Sequence, residues 1–295
     1  MKIRKNITVG VLYLLAAGLV AAVFFFWPRG QAPEWVRQPA PQDEHALAVY
    51  DVMKDLGVGL SSEIRFHRGK WAVYVEDLEA GVGFRAEKDA SCGESMVSAS
   101  IIKIFIMAAA YEDVDAGKFS EEALSDDIYE MITYSDNEAT NRLVTALGQG
   151  DPGAGMARVN AYARSVGCPN TRMERLMLVE NGKQNYVSIL DCARLLRMMY
   201  EGQCVSAARA EQMLSILKEQ RWNDYIPKGP PEGTAIAHKS GDLIGIVQGD
   251  VGIVYDGKGP YIVCIICNDP PSFKRCERQL AEISRLINDH MARRP

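Results

Sequence analysis

Three short polar clusters, in a fixed order along the chain, hold the groups that acyl transfer needs. They are Ser100-Ile101-Ile102-Lys103, Ser135-Asp136-Asn137 and Lys239-Ser240-Gly241. A serine hydroxyl is a weak nucleophile unless a neighbouring base accepts its proton. The first cluster offers such a pair, with Ser100 as the nucleophile and Lys103 as the base.

The spacing of Ser100 and Lys103 predicts that both side chains lie on one face of a helix. The apolar run from Ile101 to Tyr111 indicates that this helix is buried. Burial, the helix N-terminus and a second cation would each lower the pKa of Lys103, so that its amine is uncharged part of the time. The alternative is that Ser100 is a helix N-cap followed by an exposed lysine.

The other two clusters supply a second hydroxyl, an amide and a cation. Ser135 would pass a proton to a leaving nitrogen and Asn137 would bind a substrate amide; alternatively, this cluster only caps a helix. Lys239 ends a predicted buried strand, where it would bind a substrate carboxylate and act as the second cation near Lys103. The small residues that follow it suggest a close approach of ligand to backbone.

Other polar features are expected to be structural. A second Ser-x-x-Lys sequence, from Ser215 to Lys218, lies in the middle of a predicted amphipathic helix and is interpreted as a solvated face. His238 is expected to make structural hydrogen bonds. Cys264 and Cys267 fall on a predicted buried strand, where their spacing directs the two thiols to opposite faces.

Composition excludes several classes of function. A net charge of -5 with scattered signs argues against nucleic-acid binding, which needs a basic surface. The chain has seven cysteines, so at least one is unpaired, and only four dispersed histidines. We therefore expect neither a metal nor a cofactor.

Hydrophobic periodicity predicts strands near both ends of the chain and helices between them. The predicted strands are 71–76, 82–85, 235–239, 246–255 and 261–267, and the predicted helices are 44–56, 98–116, 126–133, 138–147, 155–166, 188–201, 206–219 and 273–291. This order indicates an α+β fold, in which an antiparallel sheet is flanked by terminal helices and carries an inserted all-α lobe at about 111–220. The site would lie between the lobes.

The N-terminus has the pattern of a membrane anchor. Basic residues at positions 2, 4 and 5 precede an uncharged stretch from Ile7 to Trp27, which would be about 31 Å long as a helix. We expect an anchor at 1–28, a linker at 29–43 and an extracytoplasmic domain at 44–295, with the N-terminus in the cytoplasm. The alternative is a cleaved signal peptide, although this stretch is long and has no small-residue cleavage site near its end.

The three clusters occur together in class A β-lactamases and penicillin-binding proteins. From about residue 44 to its end, the chain resembles that superfamily. Supporting stretches are Tyr134-Ser135-Asp136-Asn137-Glu138-Ala139-Thr140-Asn141, Thr171-Arg172-Met173-Glu174-Arg175 and the Lys239-Ser240-Gly241 strand with its hairpin. The resemblance implies acylation by a β-lactam or by a peptidoglycan stem peptide ending in D-Ala-D-Ala.

The resemblance also implies a role for each matching residue. Ser100 is the acylated nucleophile, Lys103 its proton acceptor, Ser135 the proton relay and Asn137 a substrate contact, while Lys239, Ser240 and Gly241 form the strand that recognises the substrate carboxylate. The backbone N–H groups of Ser100 and Asp242 would form the oxyanion hole.

Two departures from the class A pattern bear on turnover. In class A enzymes a glutamate on a loop activates the water that releases the acyl group, but aligning Thr171-Arg172 with that loop places Met177 at the position of the glutamate. Methionine cannot accept a proton, so we expect slow deacylation unless Glu180 or Glu174 substitutes. The segment from Lys103 to Ser135 is also shorter than usual, which predicts a more open cleft.

The leading hypothesis is therefore a membrane-anchored serine hydrolase that is acylated readily and deacylated slowly. One alternative is a functional β-lactamase with Glu180 or Glu174 as the base. Another is a non-catalytic sensor of cell-wall fragments or β-lactams, although a pure binder does not need Lys103. A solute-binding or adhesion domain would leave the three clusters unexplained.

Overall fold

A computed structural model describes residues 44–88 and 93–295. The predicted anchor at 1–28 and linker at 29–43 lie outside the described residues. Within the described ranges, no helix has both the length and the apolarity needed to span a bilayer.

Five antiparallel strands form the central sheet. They are β1 (Lys70–Asp77), β2 (Val82–Glu87), β5 (Ala235–Leu243), β6 (Val247–Asp256) and β7 (Gly259–Asn268), in the spatial order β2-β1-β7-β6-β5. Two short strands, β3 (Met96–Val97) and β4 (Tyr186–Val187), pair separately. Because β1 pairs with β7, parts of the chain that are distant in sequence meet in the middle of the sheet, as the sequence pattern predicts.

Eight α-helices are present in the described residues. They are α1 (Glu44–Phe66), α2 (Lys103–Asp115), α3 (Ser125–Thr133), α4 (Asn137–Leu147), α5 (Pro152–Ser165), α6 (Ile189–Tyr200), α7 (Ala207–Lys218) and α8 (Phe273–Met291). Two short 3₁₀ helices span Ala99–Ile102 and Ile226–Lys228. The α+β class is confirmed, and α2 lies within the helix predicted over 98–116.

Side-chain alternation gives the sheet two different faces. Val73 and Val75 of β1 pack with α1 and α8 in one apolar core. Glu76 faces the other way and pairs with Arg197 of α6. The two thiols on β7 also point to opposite faces. Cys267 belongs to the core under α1 and α8, and Cys264 does not. All six cysteines in the described ranges are buried free thiols.

Helix α1 ends at Phe66, ten residues beyond the predicted end at residue 56. Gly57 suggests a helix end because glycine lowers helix propensity. A Cβ at this position would lie 2.2 Å from the ring of Phe84 on β2. The glycine therefore allows the sheet to pack closely against a helix that continues past it.

Candidate active site

Ser100 lies in the 3₁₀ turn that leads directly into α2. Ser98, not Ser100, occupies the N-cap position, so the interpretation of Ser100 as a helix cap is wrong. The residue between them, Ala99, has a φ of 42°, which is unfavourable for a residue with a Cβ. Such strain, on the order of 1–3 kcal/mol, often occurs at active sites, and here it directly precedes the predicted nucleophile.

Lys103 is fully buried in the first turn of α2, and its amine is directed at the second cluster. Its Nζ lies 2.7 Å from the carbonyl oxygen of Ser135, 3.2 Å from Ser135 Oγ and 2.9 Å from Asn137 Oδ1. Within the described residues, no hydrogen bond joins this amine to Ser100 Oγ, although both residues belong to the same helical turn. The structure thus connects the predicted base to the predicted relay.

The electrostatic surroundings of Lys103 favour its neutral form. Burial, and then the positive charge of Lys239, lower the pKa of Lys103 to about 6, against a smaller opposing effect of Asp136. Lys239 is itself fully buried, and burial lowers its pKa to about 8. Near neutral pH, the site therefore combines an uncharged amine with a charged one. The sequence predicted this combination, with Lys239 as the second cation near Lys103.

The second cluster both caps a helix and faces Lys103. Asp136 is the N-cap of α4 and accepts a hydrogen bond from the backbone N–H of Ala139 at 2.6 Å. Ser135 has a φ of 58°, so the chain turns sharply before the helix begins. Ser135 and Asn137 flank the cap and contact the amine of Lys103. Capping and substrate chemistry are thus compatible functions of one motif.

A segment after α7 holds this turn in place, and sequence analysis did not identify it. Its three donors are Gln220 Nε2, Arg221 N and Trp222 Nε1, which bond the carbonyl oxygens of Ile132, Thr133 and Tyr134 at 3.0, 3.0 and 3.1 Å. The last carbonyls of a helix have no partner within the helix. The segment 220–222 satisfies those at the end of α3, immediately before Ser135.

The third cluster lies on β5, the edge strand beside the Ser100 turn. Lys239 Nζ donates to the carbonyl of Ser240 at 2.9 Å, and both residues are buried. A Cβ on Gly241 would lie 2.8 Å from the carbonyl oxygen of Ser98 and 2.9 Å from the backbone nitrogen of Ile101. The glycine is therefore required by the protein's own backbone at the nucleophile turn.

Neighbouring side chains on β5 belong to a buried structural network. His238 lies 3.0 Å from both carboxylate oxygens of Asp250 and 3.0 Å from Asn223 Oδ1, in keeping with its predicted structural role. Tyr225 donates from its hydroxyl to Asp242 at 2.7 Å. The predicted oxyanion role of Asp242 uses only its backbone N–H, so this side-chain contact does not compete with it.

In the described residues, the loop after α5 places no carboxylate in hydrogen-bond contact with Ser100, Lys103 or Ser135, the predicted acylation cluster. Asn141 on α4 holds Met177 by two backbone contacts of 2.8 and 3.0 Å, and the methionine side chain is buried. Glu174 pairs with Arg172, and Glu180 is exposed to solvent. In the described ranges, neither glutamate forms a hydrogen bond with Ser100, Lys103 or Ser135.

The second Ser-x-x-Lys sequence, from Ser215 to Lys218 on α7, is here called the decoy sequence. Its serine and lysine are not buried in a polar cluster. Ser215 is exposed, and the exposed Lys218 lies over the ring of Tyr255 at 4.3 Å. In the same described ranges, no group of three or more His, Cys, Asp or Glu side chains is placed to hold a metal ion.

Comparison with known proteins agrees with this geometry. The sequence model of the Beta-lactamase enzyme family matches residues 60–124 and 121–291. The chain belongs to this family. No curated protein matches it.

Three solved structures share the fold over nearly their whole length. PBP-A is 24% identical, with a TM-score of 0.71 over 81% of this chain and 97% of that one. A PBP-A mutant in an acyl-enzyme complex with penicillin G is 25% identical, with a TM-score of 0.70 over 82% and 96%. The β-lactamase from Sphaerobacter thermophilus DSM 20745 is 24% identical, with a TM-score of 0.69 over 81% and 98%.

Proposed function

We propose that this protein is a serine hydrolase that is acylated at Ser100 by β-lactams or by peptides ending in D-Ala-D-Ala, and that it releases the acyl group slowly. The observation that carries the proposal is the buried amine of Lys103, bonded to Ser135 and Asn137 and kept largely neutral near pH 7. An amine with this pKa can accept the proton of an attacking hydroxyl, since a general base works best near the operating pH.

The residues then follow a balanced sequence of proton transfers. Ser100 Oγ attacks the carbonyl carbon of the substrate and gives its proton to Lys103 Nζ. As the C–N bond breaks, Ser135 Oγ gives a proton to the leaving nitrogen and recovers one from Lys103. Lys239 binds the carboxylate of the substrate, and this contact holds the carbonyl against Ser100.

Release of the acyl group requires an activated water molecule. At the position where the class A resemblance expects a glutamate, the chain has Met177, which cannot take a proton from water. A lost general base slows the step that it serves by about 10²–10⁴-fold. We therefore propose that the acyl-enzyme accumulates.

We further propose that residues 1–28 anchor the protein in the membrane and place the hydrolase domain outside the cytoplasm. The support is the uncharged stretch from Ile7 to Trp27 behind a basic N-terminus. This location would bring the site to peptidoglycan stem peptides.

Intact-mass spectrometry of the full-length protein in detergent, after incubation with penicillin G, tests the proposed reaction. We expect a stable adduct with the full mass of the drug, absent in Ser100→Ala and retained in Ser215→Ala, which alters the decoy serine. An adduct that persists in Ser100→Ala would contradict the assignment of the nucleophile. Rapid drug hydrolysis without an adduct would contradict slow release.

A further inference from the structure

Two exposed aromatic side chains flank the turn that carries Ser135. Tyr134 is 48% exposed and Trp222 is 56% exposed, although large apolar side chains are usually buried in a domain of this size. We call this pair the aromatic shelf. It comes from two distant segments, the end of α3 and the loop after α7.

The aromatic shelf lies beside the groups assigned to the leaving half of a substrate. Tyr134 directly precedes Ser135, which the proposed mechanism uses to protonate the leaving nitrogen. Trp222 is tied to the same turn, because its Nε1–H donates to the carbonyl oxygen of Tyr134. The shelf is thus fixed to the turn that carries Ser135.

The shelf is also held in a defined geometry. Trp222 donates from Nε1 to the carbonyl oxygen of Tyr134 at 3.1 Å, and Arg221 donates from its backbone to Thr133 at 3.0 Å. The guanidinium of Arg221 lies 5.7 Å from the centroid of the Tyr134 ring, and the edge of Tyr129 lies against the same ring. Pre-ordered aromatic surfaces lose little conformational entropy when a ligand stacks on them.

We propose that Tyr134 and Trp222 form a subsite for a flat, unsaturated substituent on the leaving half of the substrate. This inference rests on the proposed acylation at Ser100 and extends it to substrate selection. Electron-poor rings suit the site best, since they stack on the electron-rich faces of tyrosine and tryptophan.

Two cephalosporins with the same thienylacetyl acyl half separate this subsite from the rest of the site. Nitrocefin carries a dinitrostyryl group on its leaving half, and cephalothin carries an acetoxymethyl group. We expect Trp222→Ala to lower the ratio of the nitrocefin to the cephalothin acylation rate constant by about 5–10-fold, the range expected for a lost aromatic contact. Tyr134→Leu should lower the ratio in the same direction, and Phe66→Ala, which removes a distant exposed aromatic ring, should leave it unchanged.

Trp222→Phe distinguishes stacking from positioning, because it keeps an aromatic face but loses the Nε1–H bond to Tyr134. If the shelf binds the substituent, this variant retains the preference within about 2-fold. An equal loss toward both drugs in Trp222→Ala and Trp222→Phe would overturn the subsite and assign Trp222 to holding the Ser135 turn. An unchanged ratio in Trp222→Ala and Tyr134→Leu, with acylation intact, would overturn the subsite alone. Absence of any adduct on the unaltered protein would overturn the proposed function as well.

Discussion

The acylation cluster and the loop from Thr171 to Gly182 occupy the same fold but are built differently. Around Ser100, an amine is buried, bonded to Ser135 and electrostatically tuned by Lys239. In the loop, a buried methionine stands at the position expected for a water-activating glutamate. The contrast shows that the groups proposed to form the acyl-enzyme and the position expected to serve its release lie in separate parts of the fold.

The largest expected effect comes from removing the base. Lys103→Met should slow acylation by about 10²–10⁴-fold, because no other neutral amine contacts Ser135 in the described residues. Stopped-flow acylation with a chromogenic β-lactam measures this, with Lys218→Met in the decoy sequence as the matched control. Acylation within a few-fold of wild type would break the assignment of Lys103.

A stability measurement shows whether Lys103→Met still folds. Below about pH 6 the native wild type must bury a charged amine, whereas the unfolded chain holds the same proton in water. Replacing the amine by an apolar side chain should therefore raise the melting temperature, most strongly at acidic pH. A large fall in melting temperature would mean that lost activity reports lost structure.

The second prediction concerns a carboxylate introduced into the loop at position 177. Met177→Glu should speed deacylation by about 10²-fold, since a general base typically contributes at least this factor. The decay of the acyl-enzyme adduct, followed by mass spectrometry, gives the rate. Leu178→Glu places the same carboxylate on an exposed neighbour and should have no comparable effect. Equal acceleration by both variants would show that the position of the carboxylate does not matter.

A smaller change is expected in the pH dependence. Acylation should rise as Lys103 loses its proton around pH 6 and fall as Lys239 loses its charge around pH 8, which gives a bell-shaped profile. Lys239→Gln removes a positive charge near Lys103, so the pKa of Lys103 rises and the acidic limb moves to higher pH. Rates measured from pH 5 to 9 test this, with Lys218→Gln as the control. An acidic limb that stays in place would contradict coupling of the two amines.

The smallest expected effect concerns the two glutamates of the loop. Glu174→Gln and Glu180→Gln should each change the deacylation rate by less than about 2-fold, because one is paired with Arg172 and the other faces solvent. A fall of tenfold or more in the deacylation rate of either variant would favour the alternative that the protein is a functional β-lactamase.

Much of the architecture was predictable because helix and strand periodicities follow burial directly. The last helix has the predicted limits, and the predicted hairpin of β1 and β2 is present. The predicted end of α1 was wrong because Gly57 packs against the ring of Phe84, which is distant in sequence. A local pattern contains no information about such a contact.

The candidate site was predictable in its residue types but not in its support. The three clusters identify hydroxyl, amine and amide, and Asp136 follows a known capping pattern. The close approach of the turn at Ser98 to Gly241 was not predicted from the sequence. The contacts of Gln220 and Trp222 with the end of α3 depend on tertiary packing, and no local sequence signal indicates them.

The pairing of β1 with β7 has a consequence for how the molecule assembles. β1 forms a hairpin with β2 early, but it can pair with its other neighbour, β7, only when nearly the entire polypeptide has been synthesised, and such long-range pairing slows folding. The segment with Ser100 and Lys103 and the segment with Lys239 and Gly241 are likewise far apart in sequence. Covalent labelling by a penicillin would consequently report completed folding, and a chain truncated before β7 would stay unlabelled.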